Sequence, residues 1–205
     1  MEVVEALTWR GGTLESGALR RLTSRRKIRT ALLHGHIVRP SRGRFALPDA
    51  DESRLAAARL SGVVSHLSAA QLNGWELKWR PPHPTVTVPR NRNVDRWRRV
   101  GVDVRWRTLD EDDVWNGQTR AGRTVIDCAK DLPFDEALTV ADSALRHGNV
   151  AHELLLSLAD RVASTGRAQC QRVAGRRLVV PRIRSSRCYG RSLWTCQAGT
   201  RSRRW

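Results

Sequence analysis

Within its first 48 residues the chain is interrupted at Gly11-Gly12, Thr23-Ser24, Gly35 and Ser41-Arg42-Gly43, all residues that stop a helix or turn a strand. Breaks this close together leave room only for short elements. Val3, Val4, Ala6 and Leu7 recur at helical spacing, which predicts a first helix over residues 2–9 ended by the glycine pair. Thr13 is a suitable N-cap for a second helix reaching Leu22, with Leu14, Ala18, Leu19 and Leu22 facing inward. Ser24 caps a third, over residues 25–34, which Gly35 closes. Residues 36–40 and 44–47 then read as two short strands, with Gly43 supplying the turn of a hairpin. Three helices followed by a hairpin is the order of a winged helix-turn-helix.

Charge is distributed very unevenly. The formal net charge is +17, but residues 20–44 hold nine basic side chains and no acidic one, and residues 166–205 hold eleven arginines, again without Asp or Glu. The rest of the chain, with seventeen basic and twenty acidic residues, is slightly acidic. On the third helix, Ile28, Ala31 and Leu32 fall within about 60° of one another and form the inner stripe. Arg26, Lys27, Arg29 and Thr30 lie on the open side, with Arg25 nearer the core edge. Such a division suits a recognition helix, whose inner face anchors while its outer face presents guanidinium forks to phosphates and guanine edges. Arg39, Arg42 and Arg44 add charge to the wing, beside a neighbouring groove or backbone. The expected partner is therefore duplex DNA, contacted by Arg25, Arg26, Lys27, Arg29, Thr30, Arg39, Arg42 and Arg44. One short module reads few base pairs, which suggests a homodimer on an inverted repeat.

Beyond Pro48 the pattern becomes mixed. Helices are expected over residues 52–60 and 65–72, a short apolar strand at Val63-Val64, and alternating strands over 85–88 and 102–106 joined by a basic loop, residues 90–99. Three further helices, residues 123–130, 134–147 and 151–163, follow with very short turns and should pack as a bundle. The fold class is thus α+β: a winged helix-turn-helix (residues 1–48), a small mixed α/β domain ending in a helical bundle (49–165), and an irregular basic tail (166–205).

Candidate chemistry in the middle region is weak. Pro48-Asp49 with Glu76-Leu77-Lys78 imitates the carboxylate and Glu-x-Lys metal site of restriction-type nucleases, but those carboxylates belong on adjacent strands, whereas Asp49 follows a hairpin and Glu76 a helix. His66 has no acid partner or Gly-rich elbow beside it in sequence and reads as structural. Arg123 and Asp127, four apart, read as a helix-surface ion pair. The six tryptophans before the tail (Trp9, Trp75, Trp79, Trp97, Trp106, Trp115) are expected in buried or interface packing, with a stacking surface as the alternative. There is no phosphate-binding glycine motif and no C-x-x-C spacing, so no catalytic residue, metal or cofactor is expected. No segment approaches the roughly 20 apolar residues of a membrane span, and Glu2 and Glu5 stand where a signal peptide would be basic. A cytoplasmic protein, without a membrane partner, is expected.

The tail is compositionally abnormal. Forty residues lack any acid yet hold Cys170, Cys188 and Cys196, the only tyrosine (Tyr189) and two tryptophans, and periodicity stops near residue 176. Read one nucleotide earlier, the junction after Trp194 must encode Asp and that between Cys188 and Tyr189 must encode Leu. The remaining junctions of residues 182–195 permit Asn-Pro-Phe-Glu-Ser-Val-Leu-Arg-Ala-Ile-Ala-Met-Asp, an amphipathic helix with its acids restored. Residues from about 176 onward are accordingly expected to be out of frame, and the alternative is a genuine basic arm that grips nucleic acid. Resequencing the locus separates the two.

Several stretches resemble one known family: Arg42-Gly43-Arg44-Phe45-Ala46-Leu47-Pro48, Ala57-Ala58-Arg59-Leu60-Ser61-Gly62-Val63-Val64-Ser65-His66-Leu67-Ser68-Ala69-Ala70, Thr85-Val86-Thr87-Val88-Pro89, Arg123-Thr124-Val125-Ile126-Asp127 and Ala141-Asp142-Ser143-Ala144-Leu145-Arg146-His147-Gly148. The chain is similar there to actinobacterial proteins that join an AbiEi-like antitoxin domain to a Vsr-like (very-short-patch-repair) endonuclease domain. In that family the nuclease-like domain opens with a helix much like the hidden string. The resemblance implies a transcriptional regulator and antitoxin, with a nucleotidyltransferase-like toxin as partner, or else a nuclease relative lacking its catalytic domain. It carries no catalytic residue onto this sequence.

Overall fold

The computed structural model describes residues 1–176, which form nine α-helices and two β-sheets. The expected out-of-frame segment lies outside the described residues, apart from Arg176. Among them no helix is long and apolar enough to cross a membrane.

The chain begins with α1 (Val3–Trp9), whose end is wrapped by Gly11 and Gly12 at positive φ, the Gly12 N–H reaching back to the Leu7 carbonyl at 2.7 Å. Strand β1 (Thr13–Glu15) follows, then α2 (Ser16–Leu22), α3 (Arg25–Leu33), β2 (Val38–Ser41) and β3 (Arg44–Ala46). The expected N-cap at Thr13 is corrected here, because residues 13–15 pair antiparallel with β3 (Thr13 opposite Ala46, Glu15 opposite Arg44) and the helix starts only at Ser16. Three residues cannot display a strand period, and their pairing partner lies thirty residues away. Ser24 caps α3 as expected, its Oγ accepting from the Lys27 N–H at 3.3 Å. Gly43 turns the hairpin at φ +81°. The resulting sheet has the order β1-β3-β2. Val3, Ala6, Leu7, Leu19, Ile28, Ala31, Ile37 and Phe45 close a small core between the helices and this sheet.

Helix α4 (Glu52–Leu60) connects the two halves. Its C-terminal end receives the Ser41 hydroxyl of β2 on the Ala58 carbonyl at 2.6 Å, while Arg54 donates to the Asn116 carbonyl at 2.8 Å on the far side. Next come β4 (Val63–Val64), α5 (His66–Leu72), β5 (Thr85–Val88), β6 (Asp103–Trp106), β7 (Val114–Trp115) and β8 (Gln118–Thr119). They form a five-stranded mixed sheet of order β6-β5-β4-β8-β7 rather than an isolated strand pair. The pair β5 and β6 is parallel (Thr85 opposite Asp103), so the basic segment between them is a crossover rather than a hairpin loop. At Gly62 a Cβ would come within 2.7 Å of the Thr87 carbonyl, which lets the chain leave α4 directly against β5.

Helices α6 (Ala121–Asp131), α7 (Phe134–Arg146) and α8 (His152–Asp160) form the expected bundle, and α9 (Ser164–Ala174) extends it. This corrects the expectation that folded structure ends near residue 163 and that the irregular tail begins at 166. Cys170, Val173 and Ala174 are buried against the bundle, and Gln169 donates to the Ala129 and Leu132 carbonyls. A kink at Thr165 and Gly166 (φ +88°) separates the start of α9 from its regular turns.

Candidate nucleic-acid interface

Ile28 and Ala31 are buried and Leu32 is partly so, which turns the opposite side of α3 outward. Arg25, Arg26, Lys27, Arg29 and Thr30 are all exposed. Arg25, the first residue of α3 and three before buried Ile28, is exposed like the others. On the hairpin Arg39 and Arg42 are exposed. Among the described residues, Arg25, Arg26, Arg29, Arg39 and Arg42 pair with no carboxylate, so their guanidinium groups remain hydrated and available.

The other two predicted cations differ. Lys27 Nζ lies 2.6 Å from the Glu2 carboxylate at the start of α1, and its ammonium and that carboxylate are both accessible. Arg44 pairs with Glu15 across the β1–β3 register at 2.8 Å, with its side chain only 18% exposed. Burial, and nearby Arg92, push the Arg44 guanidinium below its ordinary value, against the pull of Glu15. Glu15 is the acid that the sequence count missed, because it lies outside the acid-free block and reaches it only through strand pairing. A groove of about 540 Å³ runs between α1 and α3, lined by Arg26, Lys27, Thr30 and His34. His34 and His36, at the end of α3, stack with ring centroids 5.8 Å apart.

Other sequence candidates resolve into structural roles. Glu76 accepts from the Ser143 hydroxyl and lies 3.4 Å from Arg146, and Lys78 pairs with Asp135. Asp49, Glu76 and Lys78 are thus not gathered into one site, and among the described residues no group of three or more His, Cys, Asp or Glu could hold a metal. His66 does have an acid partner, Asp131, at 3.1 Å from Nε2, with the Ser65 hydroxyl 2.9 Å from Nδ1. Asp131 lies sixty-five residues away, beyond the reach of any local motif. His66 is fully buried at φ +51°, so its imidazole has no solvent-facing side. Burial opposes ionisation of Asp131, but hydrogen bonds from His66 and Arg107 outweigh it and hold the carboxyl well below the usual carboxylate range. The Arg123–Asp127 pair forms at 3.0 Å, though with Asp127 buried rather than on the surface, and Arg123 also reaches Asp113 at 2.7 Å.

Most of the tryptophans are not buried. Only Trp75 is buried among the six, its indole N–H donating to Asn149 at 2.7 Å. Trp9, Trp79, Trp97 and Trp115 are each at least 60% exposed, and each has an Arg or Lys over its ring. A cation lying on the ring replaces part of the burial that the composition alone led one to expect.

No model of a known protein family matches the chain, and no curated protein aligns with it. Among solved structures, the RV2827C protein from Mycobacterium tuberculosis is similar at 16% identity and a TM-score of 0.45, over 85% of this chain and 76% of that one.

Proposed function

We propose that residues 1–48 are a winged helix-turn-helix that binds duplex DNA through α3 and the β2–β3 hairpin, and that the protein acts as a DNA-binding regulator. One observation carries the reading: five arginines on one helix face and one hairpin stand exposed without a carboxylate partner among the described residues, over an apolar core that fixes both elements. A merely solvated face ordinarily interleaves acids with its bases. The order of elements supports it, since β1 between α1 and α2 ties the hairpin to the helices. Arg26, Arg29 and Thr30 then face the major groove and Arg39 and Arg42 the adjacent backbone, while Lys27 and Arg44 contribute less because Glu2 and Glu15 already neutralise them. The antitoxin role and a toxin partner extend this reading through the family resemblance, with a second copy completing an inverted repeat.

A mobility-shift assay with the region upstream of the gene tests the proposal. The full chain should retard that duplex in preference to an unrelated one of equal length, and Arg26→Ala with Arg29→Ala should abolish the preference. Equal retardation of both duplexes by wild type and variant would reject it.

A further inference from the structure

The crossover between β5 and β6, residues 89–102, holds five arginines (Arg90, Arg92, Arg96, Arg98, Arg99) against a single acid, Asp95. A segment of this composition is ordinarily a solvated tether. Here it is pinned at several points. Val94 is buried in the core of the five-stranded sheet. The Trp106 indole N–H donates to the Arg92 carbonyl at 3.0 Å, Arg92 donates to the Ser61 carbonyl at 3.3 Å, and Arg59 donates to the Val100 carbonyl at 3.3 Å. Residues Arg96–Arg99 form a 3-10 turn between these pins.

Fixing the backbone also fixes what projects from it. Arg90 and Arg96 are exposed and pair with no carboxylate among the described residues. Trp97 is 68% exposed, and its indole N–H has no hydrogen-bond partner among those residues. Arg98 lies over the Trp97 ring at 4.9 Å and 3.6 Å from Asp95, and Arg99 lies over Trp106 at 5.5 Å, so these two are engaged.

The crossover flanks the hairpin. Ser61, which accepts from Arg92, lies 3.2 Å from Ser41 of β2. Arg44 and Arg90 line one cavity of about 700 Å³, and Val38 and Pro40 share another with Arg59, Gly101 and Val102. We infer that residues 89–102 form a second DNA-contacting arm beside the hairpin, in which Arg90, Arg96 and the Trp97 indole N–H donate to backbone phosphates of the same duplex. The inference rests on the DNA-binding reading of α3 and the hairpin. Phosphates rather than base edges are the ligand because a short turn on a crossover does not enter a major groove as a helix does, and phosphate contacts ask only for donors and charge. Continuity with the cations of the hairpin favours a duplex over an anionic lipid surface.

Fluorescence anisotropy of the full chain on a labelled mixed-sequence duplex, between 50 and 200 mM NaCl, tests the arm. Arg90→Ala with Arg96→Ala should weaken binding about tenfold and make the salt slope shallower by about 2, one contact being worth about 0.9. Trp97→Phe, which keeps the ring and removes the N–H, should weaken binding about twofold with the slope unchanged. If the double variant matches wild type while Arg26→Ala with Arg29→Ala weakens binding, the arm is refuted and the α3 reading stands. If only the arm variants weaken binding, the assignment of α3 falls, and the arm falls with it as a second contact, residues 89–102 being then the principal one. Loss of binding to phosphatidylserine vesicles with duplex binding intact would overturn the arm in favour of a membrane surface.

Discussion

Asp131 shows how much a single side chain can organise. Its carboxylate takes hydrogen bonds from His66 and Arg107 and lies 3.7 Å from Arg105, tying α5, the end of β6 and α6 together. Asp131→Asn keeps the shape but removes the charge, and should cost about 2 kcal/mol in urea unfolding at pH 7, the range for charge-assisted hydrogen bonds in a half-buried setting. The pH dependence has a definite sign. The folded-state carboxyl titrates below its unfolded value of about 4, so its contribution is complete above that pH and is lost as pH falls further. Wild type should lose stability more steeply than Asp131→Asn below about pH 4, and parallel acid limbs would contradict this role. The same scale separates the predicted DNA contacts. Lys27→Ala should change the salt slope of duplex binding less than Arg29→Ala does, because Glu2 already faces the Lys27 ammonium.

Among elements, legibility followed length and punctuation. Helices α3, α4 and α7 have caps or glycine stops and enough turns to display a period, and the expected spans 25–34, 52–60 and 134–147 agree with them within a residue or two. Strands β1, β7 and β8 leave no mark in the hydrophobic pattern because two or three residues carry no period, and each exists only through its partner. One signal was present: Asn116-Gly117, both at positive φ, is the dipeptide that turns a tight hairpin between β7 and β8. Helix α9 is masked for another reason: it shares the absence of acids over residues 166–205, although its Cys170 and Val173 fit the bundle. Val173→Asp should therefore destabilise the fold by about 3 kcal/mol or more, measured by thermal or denaturant unfolding, because it puts a carboxylate at a site 2% exposed. A variant as stable as wild type would mean that α9 is not part of the folded core.

Across the whole molecule, α4 sets the arrangement of the two cationic surfaces. It holds the hairpin through Ser41 and the crossover through Arg59, so the cations of residues 25–42 and 90–96 are carried by one packed unit rather than by separate tethers. The charge blocks were readable from the sequence, but their spatial relation was not, because it depends on a parallel β5–β6 pairing and on contacts between residues 17 to 41 positions apart. The net charge of +17 is a poor guide for the same reason: much of it lies beyond residue 165, and part of the rest is neutralised by partners distant in sequence, such as Glu2 and Glu15. The most direct measurement is the salt dependence of duplex binding by the full chain and by its Arg26→Ala, Arg29→Ala form. An affinity lower by about tenfold or more across the salt range is predicted for the variant, and an unchanged slope and affinity would contradict DNA binding through α3.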